Sequence, residues 1–120
     1  MAQENLPELT YFPLHAKGEP IRMLLAHKRV EYTDKVVTFA EWPAVKATMP
    51  AGQMPLYVDA NGKAMNQFSA IMRYLGRQHG YYPTDNIDEA FNVDWALETQ
   101  ADFWNTKVYR MWIGRPKGAE

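Results

Sequence analysis

The chain has 120 residues, with 13 Lys+Arg against 14 Asp+Glu and a formal charge of −1. With 47% hydrophobic and 22% charged residues it has the composition of a globular chain of one domain, or of one domain and the start of another. The balanced charge, without any block of like residues, argues against nucleic acid or an anionic membrane surface as a main partner, and the lack of cysteine removes disulfides, thiolate metal sites and CxxC redox chemistry.

The polar start at Met1–Asn5 lacks the basic and apolar regions of a secretory leader, and no apolar run reaches bilayer length. A cytoplasmic location is therefore expected. Leu9 to Leu14 is an apolar and aromatic run of strand length, punctuated by Gly18-Glu19-Pro20. Pro20 suits the first turn of a helix, where no backbone N–H is needed, and Ile21, Leu24, Leu25 and the stem of Lys28 share one face of it. From Val30 to Val37 the β-branched residues Thr33, Val36 and Val37 favour a strand. A second helix is expected from Ala40 to Thr48, ending before Pro50.

Leu56–Asp59 reads as a buried strand, Asp59–Gly62 as a hairpin turn and Lys63–Met65 as the returning strand. Gln67 to His79 has helical spacing in Ile71, Tyr74 and Leu75, and Gly80 closes it. The order is β-α-β-α-β-β-α over the first 80 or so residues. After a turn-rich linker at Tyr81–Asp85 comes a stretch from Asn86 to Ile113 with neither Gly nor Pro, which predicts one long helix ended by Gly114 and Pro116. Ala90, Val93, Leu97, Ala101, Trp104, Val108 and Met111 hold one face, and Phe91, Trp95, Phe103, Trp112 and Ile113 widen it. Such a helix expects several neighbours. The division expected is residues 1–82 for a first domain and 86–120 for the first helix of a truncated, all-helical second one.

Few chemical motifs stand out by spacing. His15, His27 and His79 are far apart and have no neighbouring ligands, so no metal site is expected. No phosphate-binding glycine loop and no nucleophile elbow is present. Pro55 stands at the entrance of a strand, and from local sequence alone an ordinary trans bond is favoured there.

Taken together, five segments resemble the cytosolic glutathione transferases of the sigma, mu or alpha type. They are Leu9-Thr10-Tyr11-Phe12, Gly18-Glu19-Pro20-Ile21-Arg22, Glu41-Trp42-Pro43 with Lys46, Pro50-Ala51-Gly52-Gln53-Met54-Pro55, and Ala70-Ile71-Met72-Arg73-Tyr74-Leu75. The resemblance covers residues 9–103, in the family's order. It implies an α/β thioredoxin-like domain, βαβ-ββα with a mixed four-stranded sheet, followed by the beginning of an all-α domain. It also implies a cis bond before Pro55, against the local reading. The implied activity is detoxifying transfer of reduced glutathione to small electrophiles, with glutathione as co-substrate and no further cofactor.

Within that resemblance Tyr11 stands at the catalytic tyrosine. A phenol O–H aimed at sulfur favours thiolate over thiol. Lowering a thiol pKa of about 8.5 by about two units takes roughly 2.7 kcal/mol, which a hydrogen bond to a charged acceptor plus nearby positive charge supplies. Lys17 stands where that charge is expected. Trp42 and Lys46 match the residues that hold the glycine carboxylate, Gln53 and the Met54-Pro55 backbone those that pair with the cysteinyl portion, and Gln67 one at the γ-glutamyl end. Asp102 resembles an acid that reaches across a dimer to the α-amino group.

One position departs from the pattern. Where the family carries serine at a helix N-terminus, this chain has Phe68, followed by Ser69. Loss of that hydroxyl predicts a ten- to hundredfold weaker hold on the γ-glutamyl carboxylate, about 1.5–3 kcal/mol. Two readings follow: a glutathione-conjugating enzyme, or a non-catalytic interaction or structural module of the kind found among lens crystallins. The aromatic last helix predicts a homodimer or a helix-exchanged oligomer.

Overall fold

The computed structural model describes residues 5–108. They fall into two units that part between Tyr81 and Tyr82.

The first unit is built on a four-stranded sheet in the order β2-β1-β3-β4. Its strands are β1 (Glu8–Tyr11), β2 (Thr33–Val36), β3 (Leu56–Val58) and β4 (Ala64–Asn66). β1 and β2 run parallel with Tyr11 opposite Val36, while β3 is antiparallel to both β1 and β4, Tyr57 facing Leu9 on one side and Met65 on the other. β1 is central, so Leu9, Thr10 and Tyr11 are all buried despite pointing alternately to opposite faces. Pro13, two residues beyond it, cannot donate to a ladder, and the strand stops three residues earlier than the apolar run suggests.

Three helices belong to this unit: α1 (Glu19–His27), α2 (Trp42–Lys46) and α3 (Phe68–His79). α1 has Pro20 in its first turn, and buries Ile21 and Leu25 as the spacing predicts. Lys28 departs from expectation. It caps the helix, exposed, with its ammonium 5.9 Å from the centre of the Tyr81 ring. β2 occupies only the middle of the run expected for it. Its four residues are exposed, as befits an edge strand. α2 is likewise shorter than expected, and a single 3-10 turn at Pro50–Gly52 follows it.

The hairpin turn is as read from sequence. The Asp59 carboxylate accepts from the backbone N–H groups of Asn61 and Lys63, and Gly62 supplies the positive φ of +85°. α3 buries Phe68, Ile71, Leu75 and Gly76 and ends at Gly80 in the left-handed conformation. Leu9, Ile21, Leu25, Val37, Ile71 and Leu75 are the fully enclosed apolar side chains, so the core lies between the central strand and the pair α1 and α3. No buried side-chain N or O atom lacks a partner among the described residues.

The second unit holds α4 (Ile87–Phe103), followed directly by a π-helical segment at Trp104–Val108. Asn86 is its N-cap, its side-chain oxygen accepting from Asp88 and Glu89 N–H, with two acidic residues complementing the helix dipole. The start thus lies where expected, but the regular α-helix ends at Phe103 rather than continuing unbroken. The Thr106 hydroxyl donates to the carbonyl of Asp102, within this change of winding. The remainder of the long helix expected as far as Ile113 lies outside the described residues. Ala90, Val93, Leu97, Ala101 and Trp104 are half-buried as one face, whereas Ile87, Phe91, Trp95 and Phe103 are exposed. Tyr82 donates to the Asp94 carboxylate at 3.0 Å, which fastens the chain entering this unit to α4. No helix among the described residues is long and apolar enough to cross a membrane.

Candidate functional site

The candidate site gathers at the C-terminal end of β1. Tyr11 is the last residue of that strand and only 6% exposed. The chain turns sharply after it, with Ala16 at a φ of +29°, and brings the Lys17 N–H back to the phenol oxygen at 3.1 Å. The bond matters chemically because the oxygen is the acceptor in it. One lone pair is occupied by the amide, and the phenol's own proton remains to be donated elsewhere. Burial pushes the Tyr11 pKa up from its ordinary value, opposed by the Lys17 hydrogen bond and then by the charge of Arg22. The phenol is accordingly protonated at neutral pH and able to donate.

Two residues given no role by the sequence alone pack against the ring. Gly18 packs against it so closely that a Cβ at that position would lie 2.5 Å from Tyr11 Cδ2 and 2.9 Å from Cγ. Arg22, one helical turn further on, has its guanidinium carbon 5.9 Å from the ring centre. Both stand in the Gly18–Arg22 segment. Their spacing of four puts them on one side of the first turn of α1, which is the signal that could have found them.

Lys17 is half-buried, and burial lowers its pKa. Its contact with the Tyr11 oxygen is made by its main chain. Trp42 opens α2 and meets Phe12 edge-on with ring centres 5.2 Å apart, while Phe39 stacks on the Phe12 ring at 4.9 Å. This aromatic group adjoins Tyr11 through Phe12, edge-on at 5.7 Å. Phe39 has no signal in the sequence, and Phe12 stands out only as the end of the Leu9–Phe12 segment, because isolated aromatics read equally well as core.

Lys46 ends α2, exposed, and its methylenes run past the glycine of the next loop, Cε lying 3.5 Å from where a Cβ of Gly52 would be. In that loop Ala51 has a φ of +54° and Gly52 one of +62°. The Met54-Pro55 bond that follows is cis, as the family resemblance implies and against the local preference. Asn66 braces the same loop from β4 by donating to the Pro50 carbonyl at 2.7 Å.

Gln67 precedes α3 with a φ of +73°, and its side-chain amide donates to Gln53 Oε1 at 3.3 Å. The structure therefore brings these two candidates together. Phe68 is 6% exposed, so its ring is buried in the first turn of α3. Ser69 follows, half-buried. Asp102 belongs to the second unit, on the last turn of α4, and is exposed there. Among the described residues no three His, Asp or Glu side chains come together as a metal site.

A cis proline loop, a buried tyrosine at a strand end and a helix N-terminus thus stand on one mixed sheet. The family model for the glutathione S-transferase N-terminal domain matches residues 18–78. This chain belongs to the glutathione S-transferase family. It is 40% identical over 93 residues to a glutathione S-transferase of Anopheles gambiae, a match covering 78% of this chain and 45% of the relative. With glutathione S-transferase S1 of Drosophila melanogaster it shares 38% identity over 95 residues, 79% of this chain and 37% of that one. Among solved structures, a Caenorhabditis elegans glutathione transferase superposes with a TM-score of 0.80 at 29% identity, over 92% of this chain and 55% of that one. The prostaglandin synthase D of Nilaparvata lugens gives the same score at 34% identity, over 89% and 53%. The sheet order and helices are those of the thioredoxin-like fold of these neighbours. The chain spans about half the length of the curated relatives it matches.

Proposed function

We propose that this chain binds reduced glutathione and activates its thiol for conjugation to small electrophiles. The observation that carries the reading is the Tyr11 phenol, buried, protonated and with its oxygen already accepting from the Lys17 N–H. A sulfur placed before it receives the phenol's proton in a hydrogen bond. The thiol proton departs to solvent, and the thiolate attacks an electrophilic carbon, displacing a leaving group or adding to a double bond. No covalent enzyme intermediate is involved, and the rate comes from position and electrostatics.

In this reading Trp42 and Lys46 hold the glycine carboxylate. The backbone of Met54, presented by the cis Pro55, pairs with the cysteinyl peptide, with Gln53 beside it. Gln67, the N-terminus of α3 at Phe68 and Ser69, and Asp102 from a second subunit take the γ-glutamyl end. An N-terminal helical turn offers unpaired N–H groups to a carboxylate even without a hydroxyl. The exposed stripe Ile87, Phe91 and Trp95 on α4, spaced by four, supports a dimer or larger oligomer, and light scattering at micromolar concentration tests it. A cytoplasmic location fits a chain without cysteine that works on a reduced thiol.

The test is calorimetric titration with reduced glutathione at neutral pH, alongside turnover of an aryl chloride activated by nitro groups. Binding in the micromolar to low-millimolar range, with turnover that Tyr11→Phe lowers at least tenfold while affinity holds, supports the reading. No saturation at tens of millimolar refutes it. Phe68 favours the second reading, a non-catalytic module, because the position that carries serine in the family is filled by a buried ring.

A further inference from the structure

We propose that Arg22 is a positioning residue for Tyr11: it ties the turn that carries the Lys17 N–H to α1 and β2, and holds a positive charge over the phenol ring. The inference rests on the proposed role of Tyr11 and adds to it the group that sets the phenol's place and field.

The geometry is that of a single guanidinium serving three elements. Arg22 Nη1 donates to the carbonyl of Leu14 at 3.0 Å, inside the turn between β1 and α1, and to Glu19 Oε2 at 3.2 Å on its own helix. Nε lies between the two oxygens of Asp34 on β2, at 3.4 and 3.3 Å. Only 16% of the side chain is exposed. Arg22 Nη2 would lie 3.2 Å from a Cβ at Gly18, so the guanidinium occupies the same crowded space as the Tyr11 ring.

The planar fork is needed here. An ammonium is a point charge and cannot reach Leu14, Glu19 and Asp34 in fixed directions together. Three other backbone–backbone hydrogen bonds are described within the turn from residue 12 to 18 or at its end: Leu14 N–H to Phe12 O, Glu19 N–H to His15 O and Arg22 N–H to Gly18 O. The bond from Arg22 to Leu14 adds a link from a side chain outside the turn, which helps to fix it and with it the Lys17 N–H. Other ionisable groups around the cluster are Lys17, whose own N–H reaches Tyr11, His15, which pairs with Glu19 at 3.1 Å, and Tyr32, whose phenol feels both Asp34 and Arg22. The charge of Arg22 acts on Tyr11 to favour its ionised form, the direction that makes a phenol a stronger donor.

Arg22→Met and Arg22→Lys test the proposal, with Tyr11 titrated by NMR of ring-labelled tyrosine, assigned by its loss in Tyr11→Phe, and folding followed by circular dichroism. In Arg22→Met the Tyr11 titration is expected to move upward, kcat to fall roughly tenfold with KM for glutathione within about twofold, and the pH midpoint of kcat to rise. Arg22→Lys keeps the charge but not the fork, and is expected to fall between wild type and Arg22→Met in each. Loss of thermal stability with the Tyr11 titration and the pH midpoint both unchanged, in either variant that folds, overturns the proposal and leaves Arg22 a structural ion pair. The phenol titration needs no glutathione. A chain that binds none can therefore still support or overturn the role of Arg22, while calorimetry decides the function separately.

Discussion

Restoring serine at residue 68 sets the fold and the ligand site against each other, and both sides can be worked from the structure. Phe68 is 6% exposed and lies in the first turn of α3, beside the enclosed residues Ile71 and Leu75. Removing a buried phenyl ring costs about 3–5 kcal/mol, and a serine hydroxyl left in that space adds to it rather than offsetting it. A domain of this size has a stability of about 5–15 kcal/mol, so Phe68→Ser should remain folded but lose a large part of it. The opposite effect falls on the ligand. A hydroxyl at the N-terminus of α3 adds one hydrogen bond to a carboxylate, about 1.5–3 kcal/mol, which is a ten- to hundredfold gain in affinity for glutathione. Thermal unfolding with and without glutathione reads both terms at once. Without ligand the variant melts well below wild type. At a fixed glutathione concentration its upward shift is larger than that of wild type, because ligand stabilisation grows with concentration over Kd. Phe68→Leu separates the terms, losing part of the packing and gaining no hydroxyl. An unchanged glutathione affinity in a folded Phe68→Ser would sink the argument that this position contacts the γ-glutamyl end.

Three further outcomes follow from the described geometry. Asn86→Ala removes the acceptor for two N–H groups of α4 and should lower the stability of the second unit by about 0.5–2 kcal/mol; an unchanged helix signal on urea titration would show the cap to be redundant. Ala51 has φ and ψ of 54° and 13°, a left-handed conformation that costs a non-glycine residue about 1–2 kcal/mol, against about 0.5–1 kcal/mol for the added freedom of glycine in the unfolded chain. Ala51→Gly should therefore be neutral to slightly stabilising, and a loss beyond about 1 kcal/mol would show that the Cβ has a contact of its own. The folded pKa of Tyr11 is raised by burial, so its contribution to stability is complete below pH 10 and is lost as the pH rises through the folded value. Relative to Tyr11→Phe, wild type should lose stability only above about pH 10, and a difference that stays constant to pH 11 contradicts the burial argument.

The order of elements was readable because each signal was local. Pro20 at the start of α1, Gly80 in the left-handed cap of α3 and Asp59 folding its carboxylate onto the hairpin all act within four residues of where they stand. Element lengths were less so. β2 is confined to the segment that pairs with β1, whatever the β propensity of its flanks, since a strand extends only as far as its partner. The break in winding at Trp104 had no sequence signal, because neither Gly nor Pro marks it. At the candidate site the tyrosine, the proline loop and the tryptophan were recognisable by resemblance to the family. Arg22 lies off the apolar face of α1, and nothing local says that Leu14 and Asp34 converge on it.

The least legible feature is where the backbone is strained. Four non-glycine residues have positive φ among those described, and three of them, Ala16, Ala51 and Gln67, sit one or two residues from Lys17, Gln53 and Phe68. Alanine and glutamine carry no preference for that region, so their sequence identity conceals it. The first turn ends with the Lys17 N–H at Tyr11, the second leads into the cis Met54-Pro55 bond, and the third sets the Gln67 amide against Gln53. Strain of this kind persists only where the surrounding contacts over-determine it, and here those contacts are identifiable as Arg22 on the first turn and Asn66 on the second. Bracing from outside the turn is what lets ordinary residues hold a conformation that glycine would adopt freely.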